Sequence, residues 1–316
     1  MNDIAPIALF VYNRPEHTKR TVEALRNNDL ASESEIIIFA DGPKENATLD
    51  QISRINEVRE YVATISGFKS IQLRFAEKNI GCANSIIRGV TEVVNKYGKV
   101  IVVEDDIIST RFFLRYFNQG LNFYENDKRI FSIGSTCNKI SIPHSYKYDV
   151  FLSCRSVSWG WATWKDRWDH ANWDIDNYDI IKHPTKRKIK QFTKGGEDMY
   201  EMLLMQLNGE IDAWDIRWDY CIRQNNGYTV IPTRSLSYNC GQDGSGVHCS
   251  AGMNYQTTDL FNKDTFDINF VDGIQSDRRI LKSYRDFFNI PKENVSVLKK
   301  IKKIIKRTLL RFVSFF

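Results

Sequence analysis

Apolar residues in the first 134 positions of the chain follow two kinds of spacing. Short continuous apolar runs predict strands at residues 4–12, 35–40, 71–75, 100–103 and 130–134. Apolar residues three and four positions apart predict helices at residues 16–27, 49–65, 82–97 and 112–124. Strands with continuous apolar runs are typical of sheets covered on both faces, so we predict an α/β fold with a mixed, mostly parallel sheet flanked by helices.

Each of the first four predicted strands is followed by polar or glycine residues. These residues are Asn13 and Arg14, Asp41 and Gly42, Asn79 to Gly81, and Glu104 to Asp106. Ligands of open parallel sheets bind at the carboxyl ends of the strands. The strand-end residues are therefore the first candidates for a ligand site.

The fourth strand delivers three successive carboxylates, Glu104, Asp105 and Asp106, to one edge of the sheet. Like charges this close repel one another unless a cation offsets them. Mg²⁺ and Mn²⁺ prefer oxygen ligands and typically bind one or two carboxylates together with substrate phosphates. The motif thus indicates a divalent metal that holds a diphosphate. The alternative is that Asp106 caps the helix that begins near Thr110.

Composition and charge restrict the class of protein. The 316 residues, 42% of them hydrophobic, can bury a full core, at the upper end of the size of one domain. The net charge is +5, but residues 294–316 alone contribute five Lys and two Arg with no acid. The rest of the chain is therefore slightly acidic, which argues against a nucleic-acid partner. Six cysteines without a C-x-x-C pair, and no recognisable signal peptide, favour a reducing cytoplasm.

These motifs resemble those of GT-A-fold glycosyltransferases, most of all the N-acetylglucosaminyltransferase I branch and bacterial surface-polysaccharide glycosyltransferases. The similarity spans residues 5–250 and includes Asn13-Arg14, Asp41, and Glu104-Asp105-Asp106 followed by Phe112-Phe113. It implies that Asn13, Arg14 and Glu104 help to bind a UDP-sugar donor and that Asp41 contacts the uracil. It also implies that Asp106 binds Mn²⁺ or Mg²⁺ directly and that Asp105 faces the ribose or the donor sugar.

Five of the seven tryptophans lie within fifteen residues, beginning at Trp159. The segment Trp159-Gly160-Trp161 resembles the family's G-W segment, which lines the acceptor side, and aromatic faces can stack on sugar rings. We therefore expect these three residues on the acceptor side. For Trp164 and Trp168 we favour a place in the core.

The segment Trp214 to Trp218 resembles the family's W-D segment, which supplies the catalytic base. An inverting transferase needs one carboxylate to take the proton of the acceptor hydroxyl. Asp215 is the candidate for this role, and Asp212 and Asp219 are alternatives close by. A plain helix N-cap is the non-catalytic interpretation of Asp215.

Two further segments are candidates for donor or metal contacts. The glycine-rich loop from Asn239 ends at His248, which could bind the metal or a phosphate or could be incidental. Asn79, Gly81 and Asn84 lie at a helix start that points toward the nucleotide in the GT-A layout. A simple helix start explains these three residues equally well.

Residues 294–316 have apolar positions at three- and four-residue intervals among seven cations, which predicts an amphipathic basic helix. We expect it to lie on an anionic membrane surface, with packing on the catalytic domain as the alternative. The predicted divisions are therefore a catalytic domain at 1–250, with halves at 1–106 and 107–250, an extension at 251–293 and a tail at 294–316.

Taken together, these features predict a metal-dependent, inverting glycosyltransferase that is cytoplasmic and peripheral at the inner face of the membrane. Its expected donor is a UDP-sugar, with N-acetylglucosamine as the first expectation. Its expected acceptor is a hydroxyl of a glycan or lipid-linked oligosaccharide in bacterial surface polysaccharide synthesis. The alternatives are a sugar nucleotidyltransferase and a non-catalytic nucleotide-sugar or carbohydrate-binding protein. A nucleotidyltransferase needs a glycine-rich loop after the first strand, where this chain has Tyr12-Asn13-Arg14-Pro15.

Overall fold

The computed structural model describes residues 4–243 and 257–289. Its main sheet has eight strands: β1 (Ile7–Val11), β2 (Glu35–Ala40), β3 (Ser70–Phe75), β4 (Lys99–Glu104), β6 (Ile130–Gly134), β7 (Val150–Ser153), β8 (Trp161–Trp164) and β9 (Tyr228–Pro232). A small second sheet pairs β5 (Ile107–Ser109) with β10 (Ser237–Asn239).

Helices connect and cover these strands. They are α1 (Pro15–Arg26), α2 (Leu49–Thr64), α3 (Cys82–Tyr97), α4 (Phe113–Phe123), α5 (Lys165–Trp168), α6 (Asp179–Lys182), α7 (Lys186–Phe192), α8 (Met199–Leu207), α9 (Asp215–Gln224) and α10 (Arg278–Phe287). Short 3₁₀ helices lie at Ala31–Glu33, Ile175–Asn177 and Thr193–Gly195.

The strand order of the main sheet is β3-β2-β1-β4-β8-β6-β9-β7. Neighbours from β3 to β4 are parallel, whereas β8 is antiparallel to both β4 and β6. β9 runs parallel to β6, and the edge strand β7 is antiparallel to β9. Most strands therefore share one direction, which confirms the predicted mixed, mostly parallel α/β sheet flanked by helices.

Local sequence explains why the helices begin and end where they do. Pro15 has the backbone angle that a first helical turn needs, and α1 begins there. The hydroxyl of Thr48 accepts from the amide of Gln51, whose side chain accepts from the amide of Thr48, and this capping box begins α2. α3 ends at Gly98, which adopts a left-handed conformation. The five strands and four helices predicted in the first 134 residues are observed within a few residues of their predicted bounds, whereas β5 and the 3₁₀ helix at Ala31–Glu33 were not predicted.

Alternate residues of the central strands bury themselves on opposite faces of the sheet. Leu9 and Val103 belong to the apolar cluster on one face, which α1, α2 and α4 cover. Ala8 and Val102 belong to the cluster on the other face, which contains α3 and most of the tryptophans. The fully apolar strands of the sequence are therefore explained by a sheet buried on both sides.

The second half of the chain adds two smaller apolar clusters. Tyr178, Phe192 and Tyr220 belong to a cluster that joins α6 to α9. Ile280 and Tyr284 attach α10 to β7 and β9. Within residues 4–243 and 257–289, no helix is long and apolar enough to cross a membrane. The predicted tail at 294–316 lies outside the described residues, so its helix and the proposed domain divisions stay predictions.

Candidate active site

The carboxyl ends of β1 and β4 bring one cation and two carboxylates together. Because β1 and β4 are parallel neighbours, Arg14 lies beside the residues that follow Glu104. The guanidinium of Arg14 forms an ion pair with Asp105, and its Nη2 lies 3.0 Å from Oδ2 of Asp106. Burial lowers the pKa of Arg14, but the charges of Asp105 and Asp106 outweigh this effect and raise it. Arg14 therefore stays positively charged between two carboxylates.

Glu104 is the last residue of β4 and immediately precedes Asp105 and Asp106. Burial raises the pKa of Glu104 well above its usual range, and the charges of Asp106, Asp105 and Asp215 add to the increase. Arg14 acts in the opposite direction but does not cancel the effect. The same electrostatics show that Asp215, although far along the chain, belongs to this group of acids. The interpretation of Asp106 as the cap of the next helix is wrong, since Phe112 is the N-cap of α4.

Asp41, at the end of β2, is held by residues that follow β3. Its carboxylate accepts from the amide of Gly42 at 2.8 Å, the amide of Ile80 at 3.0 Å and the side-chain amide of Asn79 at 2.9 Å. A Cβ at position 42 would lie 2.6 Å from the backbone of Lys78, so glycine permits this close approach. The structure thus joins two predicted donor-binding residues, Asp41 and Asn79. Asn13 is half-buried at the end of the neighbouring β1.

The small β5–β10 sheet places a later part of the chain against Asp106. After β10, the amide of Cys240 donates to the backbone oxygen of Asp106 at 2.8 Å. A Cβ at position 241 would overlap the carboxylate of Asp106, so Gly241 permits the loop to lie directly on it. His248, the predicted metal or phosphate contact at the end of this loop, lies outside the described residues.

His17 is a site residue that the sequence motifs did not indicate. It lies in the first turn of α1, and its Nε2 is 3.2 Å from Oδ2 of Asp243. His17 is also close enough to Asp105 to affect the carboxylate's pKa. The available signal was its spacing three residues after Arg14, which puts it on the first helical turn beyond the same strand end.

The three carboxylates around α9 occupy different environments. Asp215 is the first residue of α9, whose N-cap is Trp214, so the N-cap interpretation of Asp215 is wrong. The carboxylate of Asp212 accepts from the amide of Ala83 at 3.2 Å and so caps the distant helix α3. Asp219 is buried and accepts from the amide of Ser156 at 2.6 Å. Burial raises the pKa of Asp219 to about 7, against the opposing effect of Arg155.

At the start of α3, the amide of Ala83 therefore already donates to the carboxylate of Asp212. Gly81, with φ of +85°, precedes the helix, and a Cβ there would lie 2.9 Å from the carboxylate of Asp212. Asn84 is exposed and donates back to the carbonyl of Ile80 at 3.0 Å. Cys82 lies among Glu104, Asp212, Asp215 and Asp105, and burial followed by these charges raises its pKa. The helix start therefore borders the acidic group, with one amide already bonded to Asp212.

The tryptophan segment divides between surface and core. Trp161 is fully buried, and its ring stacks on Trp214 with centroids 4.6 Å apart, so the structure places it in the core and not on an open acceptor surface. Trp159 is half-buried, and its carbonyl accepts from the hydroxyls of Ser135 and Ser237 at 2.9 Å each. Gly160 has φ of +83°, which favours glycine.

Trp164 and Trp168 are the two tryptophans of this segment that we predicted to lie in the core. Trp164 and Trp168 are buried, as predicted for core residues. The indole nitrogen of Trp164 donates to the carbonyl of Leu121 at 3.1 Å, and that of Trp168 donates to the hydroxyl of Thr91 at 2.9 Å. Both rings are therefore held inside the protein by packing and by a hydrogen bond.

The donor set at Asp106 fits a divalent cation only when substrate oxygens complete it. In the described part of the chain, no three His, Cys, Asp or Glu residues are grouped to hold a metal. Asp106 can supply one carboxylate, and Mg²⁺ and Mn²⁺ commonly take one or two carboxylates plus phosphate oxygens and water. Arg14 already pairs with one oxygen of Asp106. A metal at this site would thus depend on a bound diphosphate.

No family model matches the sequence, and no curated protein matches it. Among solved structures, the chain is similar to S. aureus TarS, with a TM-score of 0.40 and 11% identity over 75% of this chain and 37% of TarS. It is also similar to S. aureus TarS 1–349, with a TM-score of 0.40 and 12% identity over 74% of this chain and 60% of the other. The chain spans less than two thirds of each, and the geometry of the site carries the functional conclusion.

Proposed function

We propose that this chain is a GT-A glycosyltransferase that moves a sugar from a UDP-sugar to an acceptor hydroxyl with the help of Mn²⁺ or Mg²⁺. The observation that supports this most is the convergence of Arg14, Asp106 and the Asp41–Asn79 pair at the carboxyl ends of neighbouring parallel strands. This edge of an open sheet is where nucleotides bind. Asp215, on a different element, approaches the same acidic group.

Donor binding would use the strand ends in order across the sheet. Asp41 carries a carboxylate that can accept the N3–H of uracil, and Asn79 fixes its orientation through the 2.9 Å hydrogen bond. Asp105 would lie near the ribose or the donor sugar. Asp106 would hold the metal, which supplies positive charge for the diphosphate as it leaves. Arg14 adds a second positive charge beside it.

Asp215 would act as the general base. It would take the proton of the acceptor hydroxyl while that oxygen bonds to the anomeric carbon and the bond to the diphosphate breaks on the opposite side. This displacement inverts the anomeric configuration. Asp212 caps α3 and Asp219 is buried against Ser156, whereas Asp215 accepts through Oδ1 from the amide of its neighbour Ile216 at 2.9 Å and keeps Oδ2 without a hydrogen bond from the described residues.

The biological setting follows from the same proposal. We infer a glycan or lipid-linked oligosaccharide of bacterial surface polysaccharide synthesis as the acceptor, and N-acetylglucosamine as the first donor sugar to test. The basic segment at 294–316 would hold the enzyme at the anionic inner face of the membrane, in the cytoplasm. Co-sedimentation of the full chain with anionic but not neutral vesicles would support that placement.

Calorimetric titration of UDP into the protein tests the donor site. We expect UDP to bind in Mn²⁺, to bind far more weakly in chelator, and to lose most of its affinity in the Asp106→Ala variant. Mn²⁺ alone should bind weakly, because the diphosphate completes its ligands. Asp50→Ala is the matched control, since Asp50 is an exposed, ion-paired aspartate on α2. Equal UDP affinity in chelator and in Mn²⁺ would contradict the metal assignment.

A further inference from the structure

An open cavity of about 260 Å³ lies at the carboxyl end of β9, apart from the donor site. Its lining includes Asp149, Thr233, Arg234, Phe261, Lys263 and Asp267. β9 runs in the same direction as β1 and β4, so the cavity opens at the same edge of the sheet as Asp106. β8 and β6 separate β4 from β9, which amounts to ~14 Å at ~4.8 Å per strand.

The walls of the cavity are held in place by the backbone. The amide of Thr233 donates to the carbonyl of Asp149 at 2.7 Å, and the amide of Phe261 donates to the carbonyl of Ser235 at 2.7 Å. Phe261 itself is buried at 4% exposure. These two hydrogen bonds fix the backbone on both sides of the cavity.

The lining combines both signs of charge with an aromatic ring. Lys263 pairs with Asp267, and its ammonium lies 5.8 Å from the ring centroid of Phe261. Asp149 accepts through Oδ2 from the amide of Asn269 at 2.9 Å, whereas its Oδ1 accepts no hydrogen bond from the described residues. Arg234 is exposed and makes no hydrogen bond or ion pair with the described part of the chain. Asp149 and Arg234, both in the cavity lining, thus keep unused hydrogen-bonding capacity.

We infer that this cavity is a subsite for one sugar residue of the acceptor, an inference that rests on the proposed glycosyltransferase function. Sugar hydroxyls donate to a carboxylate and accept from a guanidinium. A simple anion site would not place two carboxylates in its wall. The volume lies just below the ~300–1,000 Å³ typical of small-molecule pockets, which suits a single ring.

The chain also connects the cavity directly to the reaction centre. From Pro232 it passes through Arg234 into β10 and then to Cys240, whose amide bonds to Asp106. Ser235, Leu236 and Ser237 are fully buried, so the acceptor itself would span the ~14 Å between the ends of β9 and β4 along the sheet edge, with an inner residue in the cavity. The subsite would therefore select for acceptors longer than one sugar.

Saturation-transfer NMR with methyl glycosides of glucose, galactose and N-acetylglucosamine tests this inference on the full chain. We expect at least one glycoside to bind the wild-type protein and to bind about tenfold or more weakly in Arg234→Ala and in Asp149→Asn, since each change removes a hydrogen bond to a charged group. Arg54→Ala, an exposed ion-paired arginine on α2, is the matched control and should bind like wild type.

The outcomes separate this inference from the proposed function. UDP affinity in Mn²⁺ should be the same in wild type, Arg234→Ala and Asp149→Asn, which also shows that the variants are folded. Binding of UDP with no binding of any glycoside, or binding that Arg234→Ala and Asp149→Asn leave unchanged, overturns the sugar subsite alone. Binding of inorganic phosphate without any glycoside overturns it as well. Glycoside binding without any UDP binding removes the acceptor role together with the proposed function.

Discussion

The strand ends of β1 to β4 and the tryptophan cluster around Trp161 are both conspicuous in the sequence, yet only the strand ends form the candidate site. Arg14, Asp41 and Asp106 come from three separate strands and meet at one edge of the sheet. Trp161 and its neighbour Trp214 lie instead inside the core. A residue type that suits sugar binding is therefore weaker evidence than a polar residue at the end of a buried parallel strand.

The position of a charged group that follows a buried strand is restricted by the strand itself. The strand is fixed by its apolar neighbours, so its next residues emerge at the sheet edge, where water, a ligand or an opposite charge must stabilise them, as Arg14 does for Asp105 and Asp106. A tryptophan has no such restriction, because it is stable both in a core and against a sugar ring. Its place depends on which other side chains surround it.

The largest expected effect concerns Asp215, which we propose as the general base. Asp215→Asn should lower turnover roughly 10²- to 10⁴-fold, as expected for loss of a general base. UDP affinity in Mn²⁺ should stay unchanged, because Asp215 is not proposed to bind the donor. Release of UDP from UDP-sugar in the presence of acceptor measures the turnover.

Asp179→Asn is the control for this variant, since Asp179 is an exposed carboxylate of α6 paired with Lys188. Its turnover should match the wild type. If Asp215→Asn also turns over close to wild type, the base is another residue, and Asp212 and Asp219 are the next to test.

The second prediction compares the buried Trp161 with the half-buried Trp159. Trp161→Ala should lower the free energy of unfolding by about 3–5 kcal/mol, because it leaves a large cavity in the core. Trp159→Ala should cost less stability, since Trp159 is half-buried. Of the two, Trp159→Ala should have the larger effect on the KM for acceptor.

Chemical denaturation and steady-state kinetics on both variants measure these differences. A Trp161→Ala protein that keeps its stability but loses acceptor affinity would contradict the core assignment. It would instead restore the acceptor role that the sequence motif suggested.

The smallest effect is a pH dependence from Asp219, one helical turn beyond Asp215. Its pKa is about 7 in the folded protein and would be about 3.9 in the unfolded chain. Between these values the folded state binds a proton that the unfolded state does not, so stability falls as pH rises, by at most about 1.4 kcal/mol per pH unit. Asp219→Asn removes the titrating group.

Thermal unfolding of wild type and Asp219→Asn from pH 5 to about pH 8 isolates this contribution, because the other titrating groups are common to both proteins. The stability of the variant relative to wild type should increase with pH up to about 7 and then level off. A difference that does not change with pH would show that Asp219 is ionised throughout and is stabilised by Arg155.

The sequence by itself determined the α/β fold and the row of strand-end residues from Asn13 to Asp106. It could do so because apolar periodicity and strand ends are local features, and parallel packing then brings successive strand ends to one edge. Tertiary structure decided the rest. It buried Trp161 in the core and bonded Asp212 to the amide of Ala83 in α3, 129 residues earlier in the chain. It also buried Asp219, which accepts from the amide of Ser156, and placed His17 close enough to Asp105 to affect the pKa of that carboxylate. These outcomes depend on burial and hydrogen bonding between segments far apart in the chain, which no local pattern of residues records.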